Sequence, residues 1–144
     1  MKKIFTLVFV AISHFSFSQS DEITIPQNTL VPMVLTEEVK EGKNKLGIPA
    51  KFVVAEDILV DKVVVIAKNS PVHATVTNAK RGELRVDIYD VTTVDGSVVK
   101  LNDCWLFTTF AQNYITHGAL FVKGTRKNCV TVNSITIKKS GGKY

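Results

Sequence analysis

Leu84-Arg85-Val86-Asp87-Ile88-Tyr89 decides the fold class. Apolar and polar residues alternate strictly, the period of a strand with one face in a core and the other in water. The same alternation runs upstream, where Val72, Ala74 and Val76 interleave with His73, Thr75 and Thr77. Arg81-Gly82 divides the two runs and reads as a hairpin turn. Downstream, Val130 and Val132 alternate with Thr131 and Asn133. Ile135 and Ile137 continue on the opposite phase, which predicts a β-bulge near Asn133-Ser134. Val63-Val64-Val65-Ile66 is a continuous apolar run, expected of a strand buried on both faces.

Turn signals separate the remaining runs. Asp61-Lys62, between Ile58-Leu59-Val60 and Val63, predicts a tight hairpin. Asp95-Gly96 is the strongest hairpin dipeptide, because both residues tolerate positive φ. No stretch has a good helical pattern; Ala111 to His117 is the least strand-like and reads as one helical turn or a loop. Lys40 to Lys45 reads as a solvated loop. The expected fold is all-β, a single small β-barrel or β-sandwich with hairpin connections.

A short motif recurs. Ile25-Pro26-Gln27-Asn28-Thr29-Leu30-Val31 resembles Ile66-Ala67-Lys68-Asn69-Ser70-Pro71-Val72, and Phe121-Val122-Lys123-Gly124-Thr125 resembles both at its first five positions. Asn or Gly stands where a turn needs the left-handed conformation, and the following Thr or Ser can bond nearby backbone. The unequal spacing excludes a solenoid. One hairpin corner reused around a barrel or sandwich is the expectation; chance similarity of short turns is the alternative.

The N-terminus reads as a signal peptide over residues 1–18. Lys2 and Lys3 precede the apolar run Ile4–Ile12, and Ser16-Phe17-Ser18 offers small residues at a cleavage site. A retained anchor is the alternative, although the run is too short to span a bilayer as a stop-transfer helix. The all-β domain is then residues 19–137, with a flexible tail at 138–144. Removing two lysines leaves 18 − 2 = 16 basic residues against 13 acidic, a charge of +3 rather than +5. That balance is too mild to argue for nucleic acid. Cys104 and Cys129 form an even pair in an exported chain, so a disulfide is expected, worth on the order of 3 kcal/mol. Two buried free thiols are the alternative.

The order of these segments resembles a known family. Ile25-Pro26-Gln27-Asn28-Thr29, Leu35-Thr36-Glu37-Glu38-Val39, Gly47, Phe52-Val53-Val54-Ala55-Glu56-Asp57, Val63 to Ser70, Val72-His73-Ala74-Thr75-Val76, Asp95-Gly96 and Val99-Lys100-Leu101 follow in sequence. This resembles the β-rich C-terminal domain of the TrbI-like family, the outer-membrane-ring component of type IV secretion systems. It is also similar to small exported stand-alone β-proteins. The likeness covers roughly residues 23–101, with a return at Gly118–Val132. Asn28 and Asn69 stand where Gly is usual in that family, and Ala67 where Pro is usual. The resemblance implies a β-barrel or sandwich in the cell envelope, and it carries over no catalytic residue.

Chemical motifs are sparse. His73 and His117 with Cys104 and Cys129 lack metal-ligand spacing, so no metal and no cofactor are expected. A Cys–His nucleophile pair competes with a bridge between the cysteines. Gly42 to Gly47 lacks the Lys-Ser/Thr of a phosphate loop, and no Gly-x-Ser-x-Gly is present. Glu56, Asp57, Asp87 and Asp90 suit strand ends and solvent faces better than a glycosidase pair. Trp105, Phe107, Phe110 and Tyr114 are the binding candidates. Trp105 and Phe107 share a face if residues 104–110 form a strand. Packing in the core, together with Phe121, is the favoured alternative for this cluster. Lys123, Arg126 and Lys127 read as a solvated turn rather than an anion-binding surface. The expected function is therefore a non-catalytic exported module, structural or interacting, in the periplasm or at the outer membrane. Its partner is an envelope protein or a second copy of itself, and its attachment is peripheral rather than membrane-spanning. A small secreted ligand-binding domain, with a glycan as the ligand, is the alternative.

Overall fold

The computed structural model describes residues 21–109 and 118–139. Twelve strands follow one another: β1 (Glu22–Ile25), β2 (Leu30–Leu35), β3 (Val39–Lys40), β4 (Phe52–Val54), β5 (Ile58–Val60), β6 (Val63–Ile66), β7 (Pro71–Lys80), β8 (Glu83–Thr92), β9 (Val98–Thr109), β10 (Leu120–Phe121), β11 (Arg126–Val130) and β12 (Ile135–Lys138). Six form one antiparallel sheet in the order β11-β2-β4-β7-β8-β9. The rest pair as three ribbons, β1 with β12, β3 with β10 and β5 with β6.

The large sheet curls into a nearly closed barrel. Its edge strands meet where Leu101 bridges Thr131 and Val132 N–H donates to Lys100 O at 3.0 Å. The Cys104–Cys129 disulfide crosses the same seam, with Cα atoms 5.8 Å apart. Closure shelters the backbone edges that an open sheet leaves for aggregation. The inward face is the apolar half of each alternating strand. Leu84, Val86 and Ile88 from β8 meet Val72, Ala74 and Val76 from β7, joined by Met33, Leu35, Phe52 and Ile66.

The recurring motif builds three equivalent corners. Asn28, Asn69 and Gly124 have φ of 62°, 68° and 91°. Each donates its N–H to one strand-end residue: Asn28 to Thr131 O, Asn69 to Val54 O and Gly124 to Leu35 O, at 2.8–2.9 Å. Each of those residues returns its own N–H to the next carbonyl of the corner, Thr29 O, Ser70 O and Thr125 O. The hydroxyls of Thr29 and Thr125 donate to the carbonyls of Pro26 and Val122, both at 2.6 Å. Each corner passes the chain from a two-stranded ribbon (β1, β6 or β10) into the barrel (β2, β7 or β11).

Turn chemistry follows the expected dipeptides with one change. Asp61-Lys62 and Arg81-Gly82 have positive φ at both positions, as a two-residue hairpin demands. At Asp95-Gly96 only Gly96 is left-handed, and the loop spans Thr93 to Ser97. Asp95 organises it, accepting from the Thr93 hydroxyl (2.6 Å), Ser97 N–H (2.9 Å) and Lys138 N–H (2.9 Å). Donors from Ser97, Thr93 and Lys138 hold the Asp95 carboxyl well below the usual carboxylate range.

Other expectations also change. Thr131, not Val130 or Val132, faces the core, because its hydroxyl donates to Pro26 O (2.9 Å) and accepts from Thr29 N–H (3.0 Å). β11 therefore ends in a bend at residues 132–133 rather than a bulge. Val63 and Val64 are only half-buried, since β6 pairs with β5 in a ribbon and not within the main sheet. Glu41, inside the expected solvated loop, accepts from Gly82 N–H (2.8 Å) and Ala119 N–H (3.2 Å), tying that loop to the β7–β8 turn. β12 continues through Lys138 and Lys139 N–H bonds Asp21 O, so the ordered domain passes the boundary expected at 137. Residues 1–20 and 140–144, where the leader and the rest of the tail are expected, lie outside the described residues. No helix among the described residues is long and apolar enough to cross a membrane.

Candidate functional site

The outward face of β7, β8 and β9 carries the residues that alternation excludes from the core. Register sets them in rows. Pro49 bridges Thr75, Thr75 opposes Asp87, and Asp87 opposes Trp105. Phe107 lies opposite Arg85 in the next row. Trp105 and Phe107 share the outer face and are each 46% exposed. The core alternative expected for the aromatic cluster therefore fails at these two positions, whereas Phe121 is buried at 8%. The cause is strand parity: Cys104 turns inward to its bridge, which sends Trp105 and Phe107 outward. Phe110 and Tyr114 lie outside the described residues.

Arg85 organises the platform. Its guanidinium carbon lies 5.0 Å from the Trp105 ring centroid, and its Nε donates to Asp87 Oδ1 at 2.9 Å. The carboxylate fixes the guanidinium while the indole face receives it, a cation–π arrangement. On the neighbouring strands, Thr75 donates to the Tyr89 hydroxyl at 3.0 Å. The His73 and Tyr89 rings stand 5.2 Å apart, and His73 Nδ1 lies 3.3 Å from Asp90 Oδ2. The side chains are thus held by one another before any ligand arrives.

A bulge opens a concavity beside this platform. Ile88 pairs with Cys104 and Asp90 with Lys100, so Tyr89 alone faces Leu101, Asn102 and Asp103. Asp103 takes φ of 23°, a conformation that a residue with a Cβ adopts rarely. Bulges concentrate beside binding sites because they re-aim side chains. Here the skip turns Leu101 and Cys104 inward and leaves Asn102 and Asp103 exposed in succession. The resulting space is about 490 Å³. Trp105, Arg85, Tyr89, Asp87, Asp90 and Asp103 line it, together with Lys100, which pairs with Asp90 on the adjacent strand.

The other expected candidates fall elsewhere. Cys104 and Cys129 are bridged, so neither is a thiol nucleophile or a metal ligand. His117 lies outside the described residues, and His73 faces Asp90. Asp57 accepts from Lys68 N–H at 2.7 Å, away from the platform, while Asp87 and Asp90 join the concavity. Arg126 and Lys127 open β11 rather than sitting in a turn; Lys123 stands in the turn before them. Sequence alternation placed Arg85, Asp87 and Tyr89 on an outer face but did not connect them to Trp105. The usable signal was the spacing of Leu101 and Cys104: two inward residues three apart require a skipped register. Compared with known proteins, the chain matches no family model and no curated protein.

Proposed function

We propose that this chain is an exported, non-catalytic interaction module of the cell envelope, and that the outward face of β8 and β9 is its recognition surface. The observation that carries the proposal is the pair Trp105 and Phe107, half-exposed on one face with Arg85 stacked on the indole. Aromatic residues and Arg are the side chains around which interface energy concentrates, because they bury large area at small entropic cost. Export is supported by the N-terminal leader pattern, and the bridged cysteines are compatible with an oxidising compartment. The likeness to the TrbI-like domain supports a place in the periplasm or at the outer membrane, peripheral to the bilayer.

The corners and sheet edges contribute less to contact. The backbone groups of the three corners are consumed by their reciprocal bonds to Thr131, Val54 and Leu35. The edge strands β9 and β11 already face each other across the disulfide. Recognition accordingly rests on side chains of the outer face rather than on strand addition. Size-exclusion of a gentle envelope extract tests this. The mature chain is expected to elute well above about 14 kDa, the mass its length implies. Elution solely as free monomer, with nothing bound to the platform, would sink the assignment.

A further inference from the structure

We infer that the concavity beside Trp105 takes a neutral saccharide unit, an inference that rests on the outer face of β8 and β9 being the recognition surface. The volume of about 490 Å³ lies within the roughly 300–1,000 Å³ range of small-molecule sites. Three properties of the lining select the class. The first is charge. Asp87, Asp90 and Asp103 line the concavity together with Arg85 and Lys100. Asp87 is already bonded to Arg85, and Asp90 to His73. Asp103 and Lys100 are left as opposite charges on one bulge, so with three carboxylates and two cations the lining stays within one unit of neutral and favours no strongly charged ligand.

The second is the indole. Arg85 already occupies the cation–π position on Trp105, at 5.0 Å. An incoming ammonium or guanidinium group would compete with a resident cation fixed by Asp87. A second anion would meet three carboxylates. A ring with apolar C–H groups on one face is free of both penalties and can pack on aromatic surface. The third is hydrogen-bonding capacity. Carboxylates accept only, while Lys and Arg donate only. A hydroxyl does both, so a polyhydroxylated ring satisfies Asp103 and Lys100 at once, and charged partners make these the stronger bonds. Asp103 is positioned for this by the left-handed bulge, and Asp tolerates that conformation better than most residues.

The chain has a single tryptophan, so tryptophan emission, excited selectively over tyrosine, reports on Trp105 alone. The mature protein is titrated with neutral oligomers of glucose, N-acetylglucosamine, mannose, galactose and xylose, alongside an oligouronate and an Arg-rich peptide. At least one neutral oligomer is expected to shift the emission saturably, and calorimetry should confirm binding. Trp105→Ala is expected to weaken that binding at least about tenfold, and Trp105→Phe to restore most of it. Asp103→Asn keeps a residue suited to the left-handed backbone and should cost about tenfold. No response to any neutral oligomer at millimolar concentration would overturn the saccharide assignment, as would preference for the oligouronate or the peptide. The same Trp105→Ala variant, compared with the parent in envelope extracts, separates the two levels of the argument. A protein partner released by the substitution, without saccharide binding, overturns the ligand class alone. Neither binding nor partner overturns the recognition surface as well.

Discussion

Asn28, Asn69 and Gly124 turn the backbone left-handed at the corners, and Asp103 does the same inside β9. At the corners the turn is closed. Each left-handed N–H and the carbonyl that follows it grip one strand-end residue, and the chain passes from ribbon to barrel. At Asp103 the turn falls within a register skip and leaves open space beside Trp105. One backbone device therefore builds the three corners and, at Asp103, interrupts a strand. The difference separates residues whose loss should cost stability from residues whose loss should cost recognition.

The sharpest test of that separation is the seam joining the two regions. The Cys104–Cys129 bridge closes a loop of 25 residues and ties the bulged strand to β11. Replacing both cysteines with Ala should lower the urea-unfolding free energy by about 3 kcal/mol, through the larger freedom of the unfolded chain. A loss below about 1 kcal/mol would show that the strand bonds alone hold the seam.

A corner comes next. Asn69→Val places a β-branched residue at φ of 68° and should cost about 1–2 kcal/mol, whereas Asn69→Gly should be close to neutral. Equal stability of the Val and Gly variants, in the same unfolding assay, would break the claim that the corners depend on left-handed backbone.

Asp95 gives a smaller, pH-dependent effect. Its carboxyl is depressed in the fold by donors from Ser97, Thr93 and Lys138. Such a group contributes stability above its unfolded value of about 4, and the contribution fades as pH falls below that toward the folded value. Asp95→Asn should therefore be less stable than the parent at pH 7, with the gap narrowing below about pH 4. A gap independent of pH would assign the effect to lost geometry rather than to charge.

These regions were not equally legible beforehand. The corners repeat, so three short segments with Asn or Gly at one position announced a shared turn. β7 alternates from Val72 to Val76 and β8 from Leu84 to Ile88, and the buried halves of those stretches follow directly. Thr131 misled because its hydroxyl is satisfied inside the fold by two partners that are 102 and 105 residues away in the chain. The platform was half legible. Trp105 and Phe107 were visible as a same-face pair, but their exposure depends on which way Cys104 turns, and that depends on Cys129. Arg85 reaches Trp105 only through the β8–β9 register, which local pattern does not encode.

The smallest expected effect on stability is at Trp105 itself, and there the claim is most exposed. Trp105→Ala should leave the unfolding free energy within about 1 kcal/mol of the parent, the scale of a lost surface cation–π contact. The decisive measurement is the native size of the parent and of this variant, extracted side by side from cell envelopes. The account predicts a large parent species and a folded, monomeric variant. A variant that keeps the full assembly, or a parent as small as the variant, would contradict the assignment of recognition to the outer face of β9.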